Sequence, residues 1–365
     1  MTEKRIVYIT DVCSSIFAGG DAPKKHFSFE QTEECCYPVF SNGESHNGLY
    51  GYTNTARVTE PSITVSARGT IGFTAIRLTP FTPIVRLISI TPIQDIIDID
   101  YLYYALSNYT PENTGTSIPQ LTVPMIKKYK FRLPEKDEQK RAVKTLKQLD
   151  DILEKGKIQI QKLDELVKSR FVELFSSDYP EYTLLDLCNI IDYRGKTPEK
   201  VESGLPFITA KNVKMHYMSL VPREYISKET YDKVMVRGFP KEGDVVFTTE
   251  APLGNVCRIP HFNSEFYIGQ RIVTLQTEKL EPIYLEYALT SDSFIKKYRN
   301  KSSGSTVTGI RVRLLEQLTI PVPPINLQTQ FADFVTKVEQ QKTIAQKNID
   351  KLETLKKSLM QEYFG

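Results

Sequence analysis

The most regular pattern of apolar and polar positions runs from residue 134 to 176, and it occurs twice. In the first stretch, apolar or small residues fall at Ala142, Leu146, Leu149, Leu153, Gly156, Ile160, Leu163, Val167 and Leu174. The steps alternate between four and three, with Arg170 as the one charged intruder. That narrow stripe is a heptad seam, which favours a partner helix over burial in a broad core. Sliding the chain along itself by 189 places lays residues 115–176 on 304–365 with no gap. Pro134 falls on Pro323, Gln139 on Gln328, Ile160 on Ile349, Leu163 on Leu352 and Phe175 on Phe364. The second seam keeps the phase at Phe331, Val335, Val338, Ala345, Ile349, Leu352, Leu359 and Tyr363, interrupted by Lys342 and Lys356. Each stretch opens at proline, which suits a first helical turn. The pattern predicts two long helices, 134–177 and 323–365, each ~60 Å long at a rise of 1.5 Å per residue. Their expected contact is an antiparallel coiled coil through Leu146, Leu149, Leu153, Ile160, Leu163 and Val167 on one side. Phe331, Val335, Val338, Ile349, Leu352 and Leu359 supply the other.

The flanking segments, 1–133 and 178–322, read as mixed α/β (α+β) globules. In the first, short apolar runs predict strands at Tyr37–Phe40, Ser62–Ala67, Phe73–Leu78 and Val85–Ile90. A helix is expected over Asp100–Leu106 and a strand over Met125–Leu133. Polar, glycine-bearing turns separate them, notably Ser41–Tyr52 and Arg68–Gly72. The second globule echoes this plan. Asp186-Leu187-Cys188 answers Asp11-Val12-Cys13, Gly195…Pro198 answers Gly20…Pro23, and Tyr284–Leu289 answers Tyr101–Leu106. Gly304-Ser305-Thr306 likewise answers Gly115-Thr116-Ser117. The order is globule, helix, globule, helix, a pseudo-twofold repeat whose helices match closely and whose globules match in skeleton.

Composition adds mainly exclusions. At 365 residues the chain exceeds one ordinary core. Five cysteines without CxxC spacing suit a reducing cytoplasm. No apolar run reaches membrane-spanning length, and Met-Thr-Glu-Lys-Arg lacks a signal-peptide core. The histidines show no metal-ligand spacing, so no metal is expected. There is no phosphate-binding loop, dinucleotide fingerprint or amino-methyltransferase motif, and the chain is read as no enzyme. The net charge of +3 neither demands nor excludes nucleic acid.

The polar turns carry residue types that read base edges: Arg and Lys suit guanine, Asn and Gln adenine, Glu and Asp cytosine. In the first globule these are Asn42, Glu44, His46, Asn47 and Arg68. In the second they are Lys211, Asn212, Lys214, His216, Glu250, Gln270 and Arg271. Cations from Lys127 to Lys144, with Arg311 and Arg313 at the matching place in the second copy, suit phosphates. Each is equally at home as an ordinary solvated residue.

At this point the whole chain resembles the specificity subunit of type I restriction-modification systems. The strings that carry the resemblance are doubled. Leu133–Lys140 and Val322–Gln328 resemble the proline-then-glutamine opening of the family's helices. Thr64–Gly72 and Gly243–Gly254 resemble the strand-turn signature of its two target-recognition domains. One departure is Thr308-Gly309 facing Pro119-Gln120, where the family often keeps glutamine. The resemblance implies a non-catalytic subunit on double-stranded DNA, each globule reading one half of a bipartite, asymmetric target. The helices would set the gap and dock two methyltransferase subunits and, in systems that cut DNA, two restriction subunits. It implies no cofactor on this chain, with S-adenosylmethionine on the methyltransferase and ATP with Mg2+ on the restriction subunit. The competing reading of the residues is a coiled-coil adaptor joining two globules that bind ligands other than DNA.

Overall fold

The structure, a computed structural model, describes residues 5–109, 120–193, 198–302 and 309–365. Most of the loop expected at Gly115–Leu121, and the echoes at Gly195 and Gly304–Thr306, lie outside these residues. The two predicted long helices span Lys136–Phe175 and Ile325–Phe364, 40 residues each. The chain forms two compact units, Met1–Ile158 with Ala345–Gly365, and Gln159–Ile344. These cut across the four-part division expected from the sequence, because each unit takes one globule and a segment of both helices.

In the first unit an antiparallel sheet orders Cys13–Ala18, Ile88–Pro92, Ser62–Val65 and Thr74–Arg77. A second sheet orders Phe27–Ser28, Leu49–Thr53, Tyr37–Phe40 and Thr82–Pro83. The helix Ile99–Ser107 buries Tyr101, Leu102, Ala105 and Leu106 against the first sheet and the first long helix. Ile6–Tyr8 pairs with Lys130–Arg132, so both ends of the globule meet just before the long helix. Three expectations fail here. The turn read over Ser41–Tyr52 ends at Gly48, and Leu49–Thr53 is a strand. Val85 and Arg86 are not strand but have φ of 51° and 63°, and the strand begins at Ile88. Met125–Leu133 is not one strand: Val123–Lys127 is a helical turn with Pro124 in its first turn, and only Lys130–Arg132 is extended.

The second unit repeats the order with its own strands. Asn189–Asp192, Ile272–Gln276, Val245–Thr248 and Val256–Arg258 form its main sheet. Glu181–Thr183 pairs with Thr319–Pro321 before the second long helix. It also holds the hairpin Val213–Lys214/Tyr217–Met218 and the helices Lys228–Val234 and Asp292–Lys301.

What the two copies share is the seat of each globule on the helices. Gln139 and Gln328 are both 1% exposed. Each amide reaches back to the proline carbonyl five residues earlier, Pro134 at 2.9 Å and Pro323 at 2.8 Å. Each carbonyl oxygen accepts from the backbone N–H that caps the globule's helix, Asp98 at 2.8 Å and Glu281 at 3.0 Å. A helix start leaves N–H groups unpaired, so a buried glutamine here satisfies donors that would otherwise cost about 1–3 kcal/mol each. Tyr101 donates to the Arg132 carbonyl and its ring lies 4.8 Å from that of Phe364. Tyr284 donates to the Pro321 carbonyl and lies 4.8 Å from Phe175. The tyrosine of each globule is thus packed on the far end of the helix that belongs to the other sequence copy.

The seam is antiparallel within each unit. In the first, Leu146, Leu149, Leu153 and Ile349 are buried, with Leu352 and Leu359 half-buried. In the second, Val167, Phe331, Val335 and Val338 are buried, with Ile160 and Leu163 half-buried. Burying each such side chain contributes about 1.5–3 kcal/mol. A Cβ on Gly156 would lie 3.1 Å from Ile349 Cγ1, so glycine allows a close helix approach there. The two lysines that interrupt the stripe are ion-paired across the seam, Lys356 with Asp150 and Lys342 with Asp164.

Candidate nucleic-acid interface

In the first globule the polar residues lie on three turns. The turn after Tyr37–Phe40 holds Glu44, His46 and Asn47, all exposed. His46, Asn47 and Gly48 have φ of 49°, 56° and 76°, a run in the left-handed region that L side chains rarely adopt. The second turn, after Ser62–Val65, holds exposed Arg68, whose Nη2 donates to Gln120 Oε1 at 3.2 Å. The third holds Val85 and Arg86, both exposed. Asn42 joins them: its Nδ2 donates to the Val85 carbonyl at 2.7 Å and its Oδ1 accepts from Ala67 N at 2.8 Å. Both ends of its amide hold turns together, so Asn42 is a structural staple between them. The staple gathers Glu44, His46, Asn47 and Arg68 with Arg86. Arg86 was missed because the apolar run around it reads as strand.

In the second globule the same strand-turn frame recurs. Ser66 N bonds to Phe73 O and Gly72 N to Ser66 O; Thr248 N bonds to Asn255 O and Gly254 N to Thr248 O. A Cβ on Gly254 would meet Tyr298 Oη at 2.2 Å, so this turn requires glycine. Ala67 O accepts from Leu121 N, and Thr249 O from Ile310 N. Arg68 and Glu250 therefore hold matching places, as do Gln120 and Gly309. Where the first globule pairs Arg68 with Gln120, the second pairs Glu250 with Arg271 at 3.1 Å. A Cβ on Gly309 would lie 3.2 Å from both Glu250 Cγ and the Thr249 carbonyl oxygen, a tight approach at the place the glutamine holds in the first globule.

Glu250, half-buried Gln270, Arg271 and exposed Arg311 lie around this turn. Lys211, exposed, lines a cleft of about 270 Å3 with Lys200, Gln270 and Arg271. Lys200 is a further cation not singled out in the sequence, 2.8 Å from Glu224. Lys214 is half-buried on the hairpin.

Two residues picked from this globule turn inward. Asn212 is 1% exposed: its Oδ1 accepts from Thr209 N and Oγ1, and its Nδ2 donates to the Ser219 and Pro222 carbonyls. It shapes the loop and has no donor or acceptor left for a base. His216 sits at φ 65° in the hairpin turn, with Nδ1 2.8 Å from Glu286 Oε1 and its ring stacked on Tyr287. Its imidazole is held from below by a fully buried carboxylate, so it positions the hairpin. Among the cations between Lys127 and Lys144, Arg132 is paired with Glu138 at 2.7 Å and Lys130 lies over the Tyr8 ring.

Among the described residues no group of His, Cys, Asp and Glu side chains could hold a metal ion, and no helix is long and apolar enough to cross a membrane.

The layout is a repeated mixed globule with polar turns on a matched frame, each followed by a long helix. The chain belongs to the family described as the type I restriction modification DNA specificity domain, whose pattern matches residues 1–162 and again 176–354. A protein named as a type I specificity subunit of Mycoplasma pneumoniae is 33% identical over 168 residues, 46% of this chain and 46% of its own length. The chain thus spans about half of that relative. The type I restriction enzyme MjaVIII specificity subunit of Methanocaldococcus jannaschii is 25% identical over 299 residues, 73% of this chain and 69% of that protein. In fold, the chain is similar to the S subunit of a type I system from M. genitalium, with a TM-score of 0.59 at 17% identity over 100% of this chain and 97% of that one.

Proposed function

We propose that this chain is the DNA-reading subunit of a type I restriction-modification complex and carries no catalytic centre of its own. The observation that carries this reading is the family match to both halves of the chain, with divergent polar turns on one repeated frame. Each globule reads one half of a split target. Because Arg68 and Gln120 in one correspond to Glu250 and Gly309 in the other, the half-sites differ and the target is asymmetric. Double-stranded DNA is the ligand. Two methyltransferase subunits carrying S-adenosylmethionine dock on the chain, joined in cutting systems by two restriction subunits using ATP and Mg2+. The complex works in the cytoplasm. The adaptor reading gives no reason for the paired recognition-domain turns.

The test is a methylation map. The chain is co-expressed with its methyltransferase in a host lacking adenine methylation, and modified bases are read by sequencing. A split, asymmetric motif methylated once on each strand is expected. An assembled complex with S-adenosylmethionine bound and no motif would overturn the reading. A deleted or added heptad within Ile152–Leu166 keeps the seam phase while changing the helix by ~10 Å at 1.5 Å per residue. The gap should change with both half-sequences retained; an unchanged gap would remove the spacer role.

A further inference from the structure

A buried arginine lies under the first candidate turn, and among the described residues no carboxylate is paired with it. Arg77 is 5% exposed. Its Nε donates to Thr64 Oγ1 at 3.0 Å and its Nη2 to the Asn47 carbonyl at 2.8 Å. The guanidinium carbon is 3.7 Å from the Phe40 ring centroid. Among the described residues no carboxylate pairs with it. Burial pulls its pKa down to about 10, still far above neutrality, so the group stays charged.

Both parts of this arrangement are costly. A buried charge without a counter-charge is destabilising, and packing alone would be served better by an apolar side chain. Above it, His46 and Asn47 hold left-handed backbone at a cost that L residues seldom bear in succession. The two meet in one bond, from Arg77 Nη2 to the carbonyl of Asn47, and a charged donor makes that bond stronger than a neutral one. The Phe40 ring, on the strand that leads into the turn, fixes the guanidinium plane. Asn47 N in turn bonds to the Glu44 carbonyl and Leu49 N to that of His46.

We propose that Arg77 is a positioning residue for sequence recognition by the first globule: it locks the 44–48 turn in its left-handed form and so aims His46 and Asn47 at the duplex. This rests on the DNA-reading function above. The role touches one half-site only, because every contact of Arg77 lies within the first globule.

The test uses the assembled complex with its methyltransferase. Arg77→Met and the near-isosteric Thr64→Val, which removes the Nε acceptor together with the long Oγ1 bond to the Ala75 carbonyl, are compared with the parent by hydrogen exchange and by methylation mapping. Arg271→Ala, in the other globule, marks which half-site is which. Faster exchange confined to peptides covering 41–50 is expected, with discrimination at one half-site falling about tenfold for Arg77→Met and less for Thr64→Val. The opposite half, the one altered by Arg271→Ala, should keep its preference. Unchanged exchange over 41–50, unchanged discrimination, or equal loss at both halves would each overturn the proposal. Should Arg77→Met fail to assemble, Thr64→Val decides by the same two readouts. A parent complex that yields no split motif removes the DNA reading itself, whereas a parent motif that Arg77→Met leaves unaltered removes only the positioning role.

Discussion

Each globule holds an arginine away from open solvent, buried Arg77 and half-buried Arg258, and the two are satisfied in opposite ways. Arg77 has a hydroxyl, a carbonyl and an aromatic face. Arg258 lies between two acids: its Nε donates to Glu286 at 2.6 Å and its Nη2 bonds to Glu339 on the second long helix. Burial works against its charged form, but Glu286 and Glu339 outweigh that and hold its pKa above the ordinary range. Glu286, 0% exposed, also receives His216. The second globule thus ties its hairpin through two charged steps to the helix. At the position matching Glu339, the first globule has Asp150, which accepts from Tyr104 at 2.7 Å and pairs with Lys356. The lesson is a division of labour. The glutamine and tyrosine seats are repeated almost atom for atom, while the means of fastening the polar turns is particular to each copy.

The largest expected effect tests the second fastening. Glu286→Ala removes two bonds to one buried carboxylate, those of Arg258 and His216, each worth about 1.5–3 kcal/mol, while Arg258 keeps Glu339. Urea unfolding should show that loss. Tyr103→Ala, the nearest matching change in the first globule, removes no buried charge partner and should cost much less; equal losses would break the contrast. The seats come next. Gln139→Ala and Gln328→Ala should each cost about 1–3 kcal/mol, by similar amounts and additively, since they satisfy equivalent donors in separate units. A large inequality would show that the repeat is not energetic. Arg271→Ala should relax preference at one half-site by about 1–3 kcal/mol, read as altered methylation there alone. Smallest of all, Lys342→Leu and Lys356→Leu exchange a partly exposed ion pair for a seam residue. Stability should move by no more than ~1 kcal/mol, and its salt dependence should weaken.

The helices were legible because a heptad stripe leaves little freedom and the chain writes it twice. Strands such as Tyr37–Phe40 were legible because alternating β-formers sit between turn residues. Val85 and Arg86 were not, since an apolar run conceals a left-handed turn when no glycine marks it. The polar candidates separate only in three dimensions. Asparagine offers the same amide to a base edge and to a backbone, so Asn42 and Asn212 carried the signal of a reader and do the work of a staple. The structural role of His216 was hidden for a related reason, its partner Glu286 lying 70 positions away on a helix. Arg77, on a strand, carried no signal at all: what sets it apart is a buried guanidinium bonded to the turn, with no carboxylate paired to it among the described residues.

The swapped tyrosine seats bear on how the chain is made. The second unit is continuous, 159–344, whereas the first is completed by residues 345–364, which leave the ribosome after all of the second. Until Met360 and Phe364 emerge, Tyr101 and the buried face around Leu146 lack their cover. The globule synthesised first is therefore the one finished last, and a released chain cut after residue 344 would hold one closed unit and one whose apolar face is left uncovered.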